Sequence, residues 1–191
     1  MPEALAGETV AESSHTIYTI GQGSLSPASL LERLRANRIT YLIDVRSAPY
    51  SSYRPEFSRV ELDGYLQSEG IRYVFMGDML GGRPTDRDCY TDGHVDYAKV
   101  RSKDFFVRGM ARLKKAHDMA IAICLLCSEG EPSQCHRAKL IGQALADEGI
   151  RVVHFLPDAT QRSQAEVMDQ LTNGQGALFD LGLRSRRVYL P

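Results

Sequence analysis

Short apolar runs of strand length alternate with amphipathic segments of helix length along this chain, and that alternation constrains its fold more than any other feature. Thr16–Ile20 is a β-prone run that ends in Gly21-Gln22-Gly23-Ser24. Ser26 and Pro27 then have the chemistry of an N-cap and a first helical residue, with Leu30, Leu31 and Leu34 at helical spacing behind them. Thr40–Val45 is almost continuously apolar, as a strand covered on both faces must be. Ser58-x-x-Glu61 reads as a capping box, with Phe57 and Leu62 as its hydrophobic staple, and the helix it opens stops at Gly70. Ile71–Phe75 is a third strand, Asp104 to His117 a helix, and Ala120–Leu126 a fourth strand and the most apolar run of the chain. A helix from Pro132 or Ser133 to Glu148, a strand over Ile150–Phe155 and a last helix over Gln164–Leu171 complete the pattern. It predicts an α/β fold: a single three-layer domain, Rossmann-like, with a mostly parallel sheet of about five strands and helices on both faces. The expected organisation is a flexible leader over 1–14, the α/β domain over 15–172 and a C-terminal tail over 173–191.

Length and charge agree with one soluble domain. The 191 residues can bury roughly 70% of the surface exposed on unfolding. The 23 basic and 24 acidic residues leave a net charge of −1, which argues against a generally basic nucleic-acid surface. No apolar run has the length of a membrane span. The first residues carry Glu3, Glu8 and Glu12 in place of a basic stretch followed by an apolar one, so the expected location is cytoplasmic. Arg outnumbers Lys among the basic residues, and its planar fork suits phosphate and carboxylate. Arg46, Arg54, Arg83 and Arg137 fall in loops or at a helix start, which raises the question of whether they face one pocket. The cluster Arg184-Ser185-Arg186-Arg187 near Tyr189 reads as a solvated tail, with only weak support for contact with nucleic acid.

In parallel α/β sheets ligands bind beyond the carboxyl ends of the strands. The unusual polar residues of this chain fall there. Gly21 follows the first strand, Asp44, Arg46 and Ser47 the second, Gly81 and Gly82 the third, and Cys127, Ser128 and Glu129 the fourth. The densest stretch runs from Cys127 to Arg137 and includes Cys135 and His136. His136 and Arg137 lie four residues before the apolar Leu140 and Ile141, so both lean toward the sheet beside a helix N-terminus, where an anion is favoured. Asp44 could brace Arg46 or act as an acid or base, and a close Asp44–Glu129 pair would form a proton-transfer couple. The cysteines keep several readings open. Cys124-x-x-Cys127 with Cys135-His136 superficially offers a metal donor set, but Cys124 and Cys127 should face opposite sides of a strand. No metal is assigned, while Cys127, Cys135 and His136 stay open as ligands. Cys127 at a strand-to-helix loop also resembles the nucleophile of rhodanese sulfurtransferases and tyrosine phosphatases, although Glu129 and Glu131 oppose a thiolate and Ser133 stands where the phosphatase arginine would be. Tyr50, Tyr53, Tyr73 and Tyr97 with Arg54 could line a pocket for a planar ligand.

The order of these motifs resembles the prokaryotic family known as domain of unknown function 488. The matching stretches are Thr19-Ile20-Gly21, Leu42-Ile43-Asp44-Val45-Arg46, Pro55-Glu56-Phe57-Ser58, Gly70-Ile71-Arg72-Tyr73, Leu80-Gly81-Gly82, and Leu126-Cys127-Ser128-Glu129 with Cys135-His136-Arg137. They extend over about Thr16 to Phe155. Gln22-Gly23-Ser24 departs from the His-Ser that follows the Gly in many members, so a role of that His would be missing here. The resemblance implies an α/β domain and no assigned activity. The expected function is that of an enzyme acting on a phosphate-containing ligand, such as a nucleotide or nucleic-acid component, at the C-terminal rim of the sheet. Arg46, Arg54 and Arg137 would hold the anion, with Gly21, Ser47, Gly81, Gly82 and Cys135 also in ligand contact. Asp44, Glu129, His136 or Cys127 would carry the chemistry. The alternatives are a non-catalytic anion-binding module and a Cys-dependent sulfurtransferase-like enzyme. Cofactor and oligomeric state do not follow from the sequence.

Overall fold

A computed structural model describes residues 16–172 and 183–189. The expected leader over 1–14 lies outside them, as do residues 173–182 of the expected tail. A six-stranded sheet forms the centre, in the order β3-β2-β6-β1-β7-β8. The strands are β1 (Thr16–Gly21), β2 (Tyr41–Asp44), β3 (Arg72–Phe75), β6 (Ile123–Cys127), β7 (Arg151–Phe155) and β8 (Gln161–Ser163). All pair in parallel except β8, which runs antiparallel to β7. The sequence pattern omits β8, a three-residue strand, because Gln161-Arg162-Ser163 has no apolar period. Between β3 and β6 a two-stranded ribbon, β4 (Tyr90–Thr91) and β5 (His94–Val95), turns at Asp92 and Gly93, both at positive φ. That Asp-Gly pair is the usual chemistry of a two-residue hairpin.

Two helical layers cover the sheet. On one face α1 (Pro27–Ala36) and α2 (Arg59–Ser68) bury Leu30, Leu34, Leu62 and Leu66 against Ile20, Leu42, Cys124 and Leu126. On the other, α3 (Asp104–Asp118), a π-helix over Arg137–Gly142 and α4 (Gln143–Asp147) pack Phe106, Leu113, Leu140 and Leu145 on Ile43, Leu125 and Cys127. Each fully buried leucine contributes about 2 kcal/mol. The alternation along β6 sends Cys124 to one core and Cys127 to the other, as its spacing requires. Ser26 caps α1 through its side chain, which accepts from Ser29 N–H at 3.0 Å. The capping box expected at Ser58 is not formed. The Ser58 hydroxyl accepts from Ser51 N–H at 3.2 Å and closes the loop that precedes α2. Phe57 and Leu62 are both fully buried in one cluster.

The basic segment after residue 183 keeps Arg184, Arg186 and Arg187 exposed, as expected, but its backbone is anchored. Ser185 is buried, its N–H donates to Val95 O at 2.9 Å, and its hydroxyl accepts from Val95 N–H at 2.9 Å. Tyr97 N–H donates to Leu183 O, and Tyr189 N–H to Gly93 O. Residues 183–189 thus run along the β4–β5 ribbon, which draws Arg186, Arg187 and Tyr189 to the rim of the sheet.

One buried core group gives the fold a specific acid response. His154 is fully buried, with Nδ1 2.7 Å from Thr19 Oγ1 and Nε2 2.8 Å from Gln164 Oε1. The Gln164 amide nitrogen is already donated to Ala138 O, so the imidazole is the donor to Gln164 and accepts from Thr19. Burial, and after it the charge of Arg137, push its pKa down to about 4, against the hydrogen bond to Gln164. The unfolded chain takes up the same proton near pH 6.5. The stability is therefore intact above pH 6.5 and falls as the pH drops toward 4, by roughly 3 kcal/mol. Denaturant titrations of wild type and His154→Gln across that window should diverge by this amount, the variant being flatter; parallel curves would contradict the assignment.

Candidate functional site

The strand order reverses its direction of growth at β1, because β2 and β3 extend one side, β7 and β8 the other, and β6 is inserted between β1 and β2. Gly21 and Cys127 are in register there, with Asp44 opposite Leu126. Three strand ends therefore stop level at the switch point, where such sheets bind ligands. A cavity of about 380 Å³ opens over them.

Asp44 is wholly buried and its two oxygens are taken. Arg46 approaches them through Nε at 2.9 and 3.1 Å and through Nη2 at 2.5 Å, and Tyr73 donates its hydroxyl to Oδ2 at 2.5 Å. Burial first, and then the charge of Asp44, push the Tyr73 hydroxyl far upward, so it stays a donor. Arg46 also donates to Gln22 Oε1 and Phe57 O. This pair braces the loop after β2, with no oxygen of Asp44 left for proton transfer. Arg46 still borders the cavity, as do Ser47 and Gly82.

Arg137 is corrected most by the structure. Its guanidinium is wholly buried and points away from the cavity, donating to Glu129 O and, at 2.7 Å, to Gly130 O. Its Nε has no hydrogen-bond partner among the described residues. It clamps the loop after β6 instead of holding an anion. Gly21 belongs to the same packing: a Cβ there would stand 1.9 Å from Glu129 O and 2.8 Å from Arg137 Nη1, so the residue is needed for close approach and not for contact with a ligand. Gly81 is pressed on Gly77 O and Ser47 in the same way. Arg54 turns to Gly23 O, Leu25 O and Glu56, outside the cavity wall. Of the loop arginines, Arg46 and Arg83 border the cavity, and Arg54 and Arg137 do not. Tyr97 lines it, Tyr73 holds Asp44, and Tyr50 and Tyr53 project outward.

The chemical groups gather at the cavity floor. Cys127, at the end of β6, has its Sγ 3.0 Å from Glu129 Oε2, 2.8 Å from Cys135 Sγ and 3.5 Å from His136 Nδ1. Cys135 Sγ lies 3.4 Å from Glu129 Oε2 and 3.7 Å from His136 Nδ1. Both thiols are buried. His136 Nε2 is 3.1 Å from Val45 O. That carbonyl can only accept, so Nε2 carries a hydrogen and Nδ1 is the ring atom that faces the sulfurs. Burial opposes the charged ring, but the neighbouring Cys135 sulfur and the Glu129 carboxylate raise the His136 pKa above its ordinary value. Gly82 packs on the same ring, since a Cβ would stand 2.6 Å from His136 Nδ1. The two thiols share one proton unequally. Burial, the hydrogen bond with Cys135 and the nearby carboxylate of Glu129 hold Cys127 well above the usual thiol range. Burial alone would raise Cys135 too, but the hydrogen bond from Cys127 and the charges of His136 and Arg137 bring it well below that range.

Over this floor stand Arg83, Arg186, Arg187 and Tyr189, with Tyr97 and Gln134 at the wall. The Arg83 guanidinium carbon sits 5.3 Å from the centroid of the Tyr189 ring. No carboxylate pairs with Arg83, Arg186 or Arg187 in the ion pairs of the described residues. Sequence reasoning missed the last two as site residues. The available signal was the Asp92-Gly93 hairpin, an edge to which an arginine-rich segment can attach.

The family model for the domain of unknown function DUF488 matches residues 26–145. The chain belongs to the DUF488 family. That match takes in Asp44, Arg46, the Leu80-Gly81-Gly82 turn and the whole Cys127–Arg137 segment. β1, β7 and the arginine-bearing segment 183–189 lie outside it, so part of this DUF488 cavity is built by residues beyond the family match. No curated protein matches the chain. No helix among the described residues is long and apolar enough to cross a membrane.

The clamp has a measurable consequence. Each hydrogen bond from a charged donor is worth about 1.5–3 kcal/mol. Arg137→Ala should therefore lower the unfolding free energy by about 3 kcal/mol or more in urea titration. A loss below about 1 kcal/mol would show that the guanidinium does not hold the loop.

Proposed function

We propose that this DUF488 protein is an enzyme acting on a phosphate-containing ligand, a nucleotide or nucleic-acid component, bound in the rim cavity. The observation that carries the reading is the convergence of Arg83, Arg186 and Arg187, none with a carboxylate partner among the described residues, on a cavity floored by Cys127, Glu129 and His136. A cavity of about 380 Å³ is of small-ligand size. Arginine forks suit the tetrahedral, multiply accepting oxygens of phosphate. Tyr189, partly exposed and stacked on Arg83, offers an aromatic ring for a planar base, and the buried Tyr97 closes the wall beside it. The cations come from the segment after residue 183 and from Arg83, in place of the Arg54 and Arg137 anticipated from sequence. Glu129, half-buried at the cavity wall, is the group for proton transfer, since Asp44 is consumed by Arg46 and Tyr73.

The sulfurtransferase alternative draws less support. It needs an open thiolate, whereas Cys127 is 2% exposed and Cys135 1%, and a carboxylate oxygen lies 3.0 Å from the Cys127 sulfur. A binding module without turnover would share the cavity and differ only in product formation.

Inorganic phosphate and a panel of mono- and oligonucleotides should raise the melting temperature of the full chain. Replacing both Arg186 and Arg187 by Ala should weaken that binding by at least about tenfold, the scale of a lost charge-assisted contact. Glu129→Gln should bind normally and abolish turnover. No stabilisation by any of these ligands would refute the phosphate reading, and binding without product would favour the module.

A further inference from the structure

Cys127, Cys135 and His136 each offer one donor atom, and the three atoms lie within 4.8 Å of one another. We propose that these three residues form a binding site for a zinc-class divalent cation, with the fourth coordination position open to the cavity on the side of Glu129.

The distances fit. Tetrahedral zinc with ordinary Zn–S and Zn–N bonds separates a sulfur from a nitrogen ligand by about 3.6 Å and two sulfurs by about 3.8 Å. The sulfur-to-nitrogen separations here are 3.5 and 3.7 Å. The sulfurs stand 2.8 Å apart, so a side-chain adjustment of about 1 Å admits the ion.

Two further observations point to a metal and not merely to a buried polar cluster, and a third is compatible with one. First, His136 is held through Nε2 by the Val45 carbonyl, which turns Nδ1 toward both sulfurs. A metal-ligating imidazole is oriented in this way by its other nitrogen. Second, the Cys135 sulfur accepts from the Arg137 backbone N–H at 3.4 Å, which favours the thiolate that a metal requires. Third, the buried Arg137 guanidinium contacts only carbonyl oxygens and has no carboxylate partner among the described residues. With a divalent ion, two thiolates and the neighbouring Glu129 carboxylate would leave a net charge of about −1 beside that cation, so occupying the site keeps Arg137 compensated. On binding, the single proton shared by the two sulfurs and any proton on His136 Nδ1 leave to solvent as the metal–sulfur and metal–nitrogen bonds form.

Three protein ligands with an open position are the arrangement of catalytic rather than structural zinc. The soft sulfurs favour zinc over magnesium or calcium. Cys89 and Cys124 take no part: Cys124 lies in the opposite core, and Cys89 is buried between Asp86 and the β4–β5 ribbon. The assignment does not depend on which anion the cavity takes.

The test uses the full chain without a polyhistidine tag, fully reduced and stripped with a chelator, then titrated with Co²⁺ and with Zn²⁺. The expected result is saturation at one equivalent, with a thiolate-to-cobalt charge-transfer band and the intense visible absorption of tetrahedral cobalt, both displaced by Zn²⁺. Cys127→Ser and Cys135→Ser should each remove much of the charge-transfer intensity. His136→Gln should keep the thiolate band and weaken affinity by at least about tenfold. Cys124→Ser should leave the titration unchanged, and Glu129→Gln should keep the metal. Absence of the band in reduced wild type would overturn the proposal without recourse to any variant. So would recovery of a Cys127–Cys135 disulfide whose reduced form takes up no cobalt, since the pair would then be a redox couple.

Discussion

A guanidinium without a carboxylate, enclosed between two main-chain carbonyls, holds the rim of this sheet together. Arg137 belongs to the first turn of the helix after β6, and its partners, Glu129 O and Gly130 O, belong to the loop that precedes that helix. The contact folds the loop back on its own helix. It thereby fixes Glu129, Cys135 and His136 around the end of β6, where Cys127 already stands. Removing a cation from water is costly unless its donors are met, and one of them, Nε, is not met among the described residues. The fold tolerates that cost at the place where the groups of chemical interest meet.

Two other devices serve the same rim. The Asp44–Arg46 pair, closed by Tyr73, stiffens the loop after β2 and carries the Val45 carbonyl that holds His136. The glycines allow close packing, since side chains at Gly21 or Gly82 would strike Glu129 O or the His136 ring. Residues 183–189 then cover one side through backbone bonds to Val95, Tyr97 and Gly93. Sheet, clamp, ion pair and docked segment are separate in sequence and meet only over the cavity.

Much of the layered architecture was legible from the chain. The apolar runs Thr40–Val45 and Ala120–Leu126, the Ser26-Pro27 helix start and the Gly70 stop all encode local structure strongly. The opposite orientation of Cys124 and Cys127 follows from strand period alone. What escaped was partner choice. Ser58 has the spacing of a cap, but its hydroxyl accepts from Ser51 N–H and makes no bond to the helix N–H groups. Arg137 carries the right charge for an anion and spends it on carbonyls. Arg186 and Arg187 are exposed, as the sequence suggested, but nothing local reveals that Ser185 will bond to Val95, about ninety residues earlier, and bring them to the rim. The candidate site was legible as a set of loops, and its division into braces and reactive groups was not, because long-range hydrogen bonds decide it.

The most direct measurement is a crystal structure of tag-free protein grown with phosphate, with anomalous data collected on both sides of the zinc edge. The expected map has one anomalous peak bonded to Cys127 Sγ, Cys135 Sγ and His136 Nδ1, and a phosphate against Arg186 and Arg187 above it. No anomalous density between those three atoms, together with a cavity that excludes phosphate, would contradict the assignment of this rim as a reactive centre.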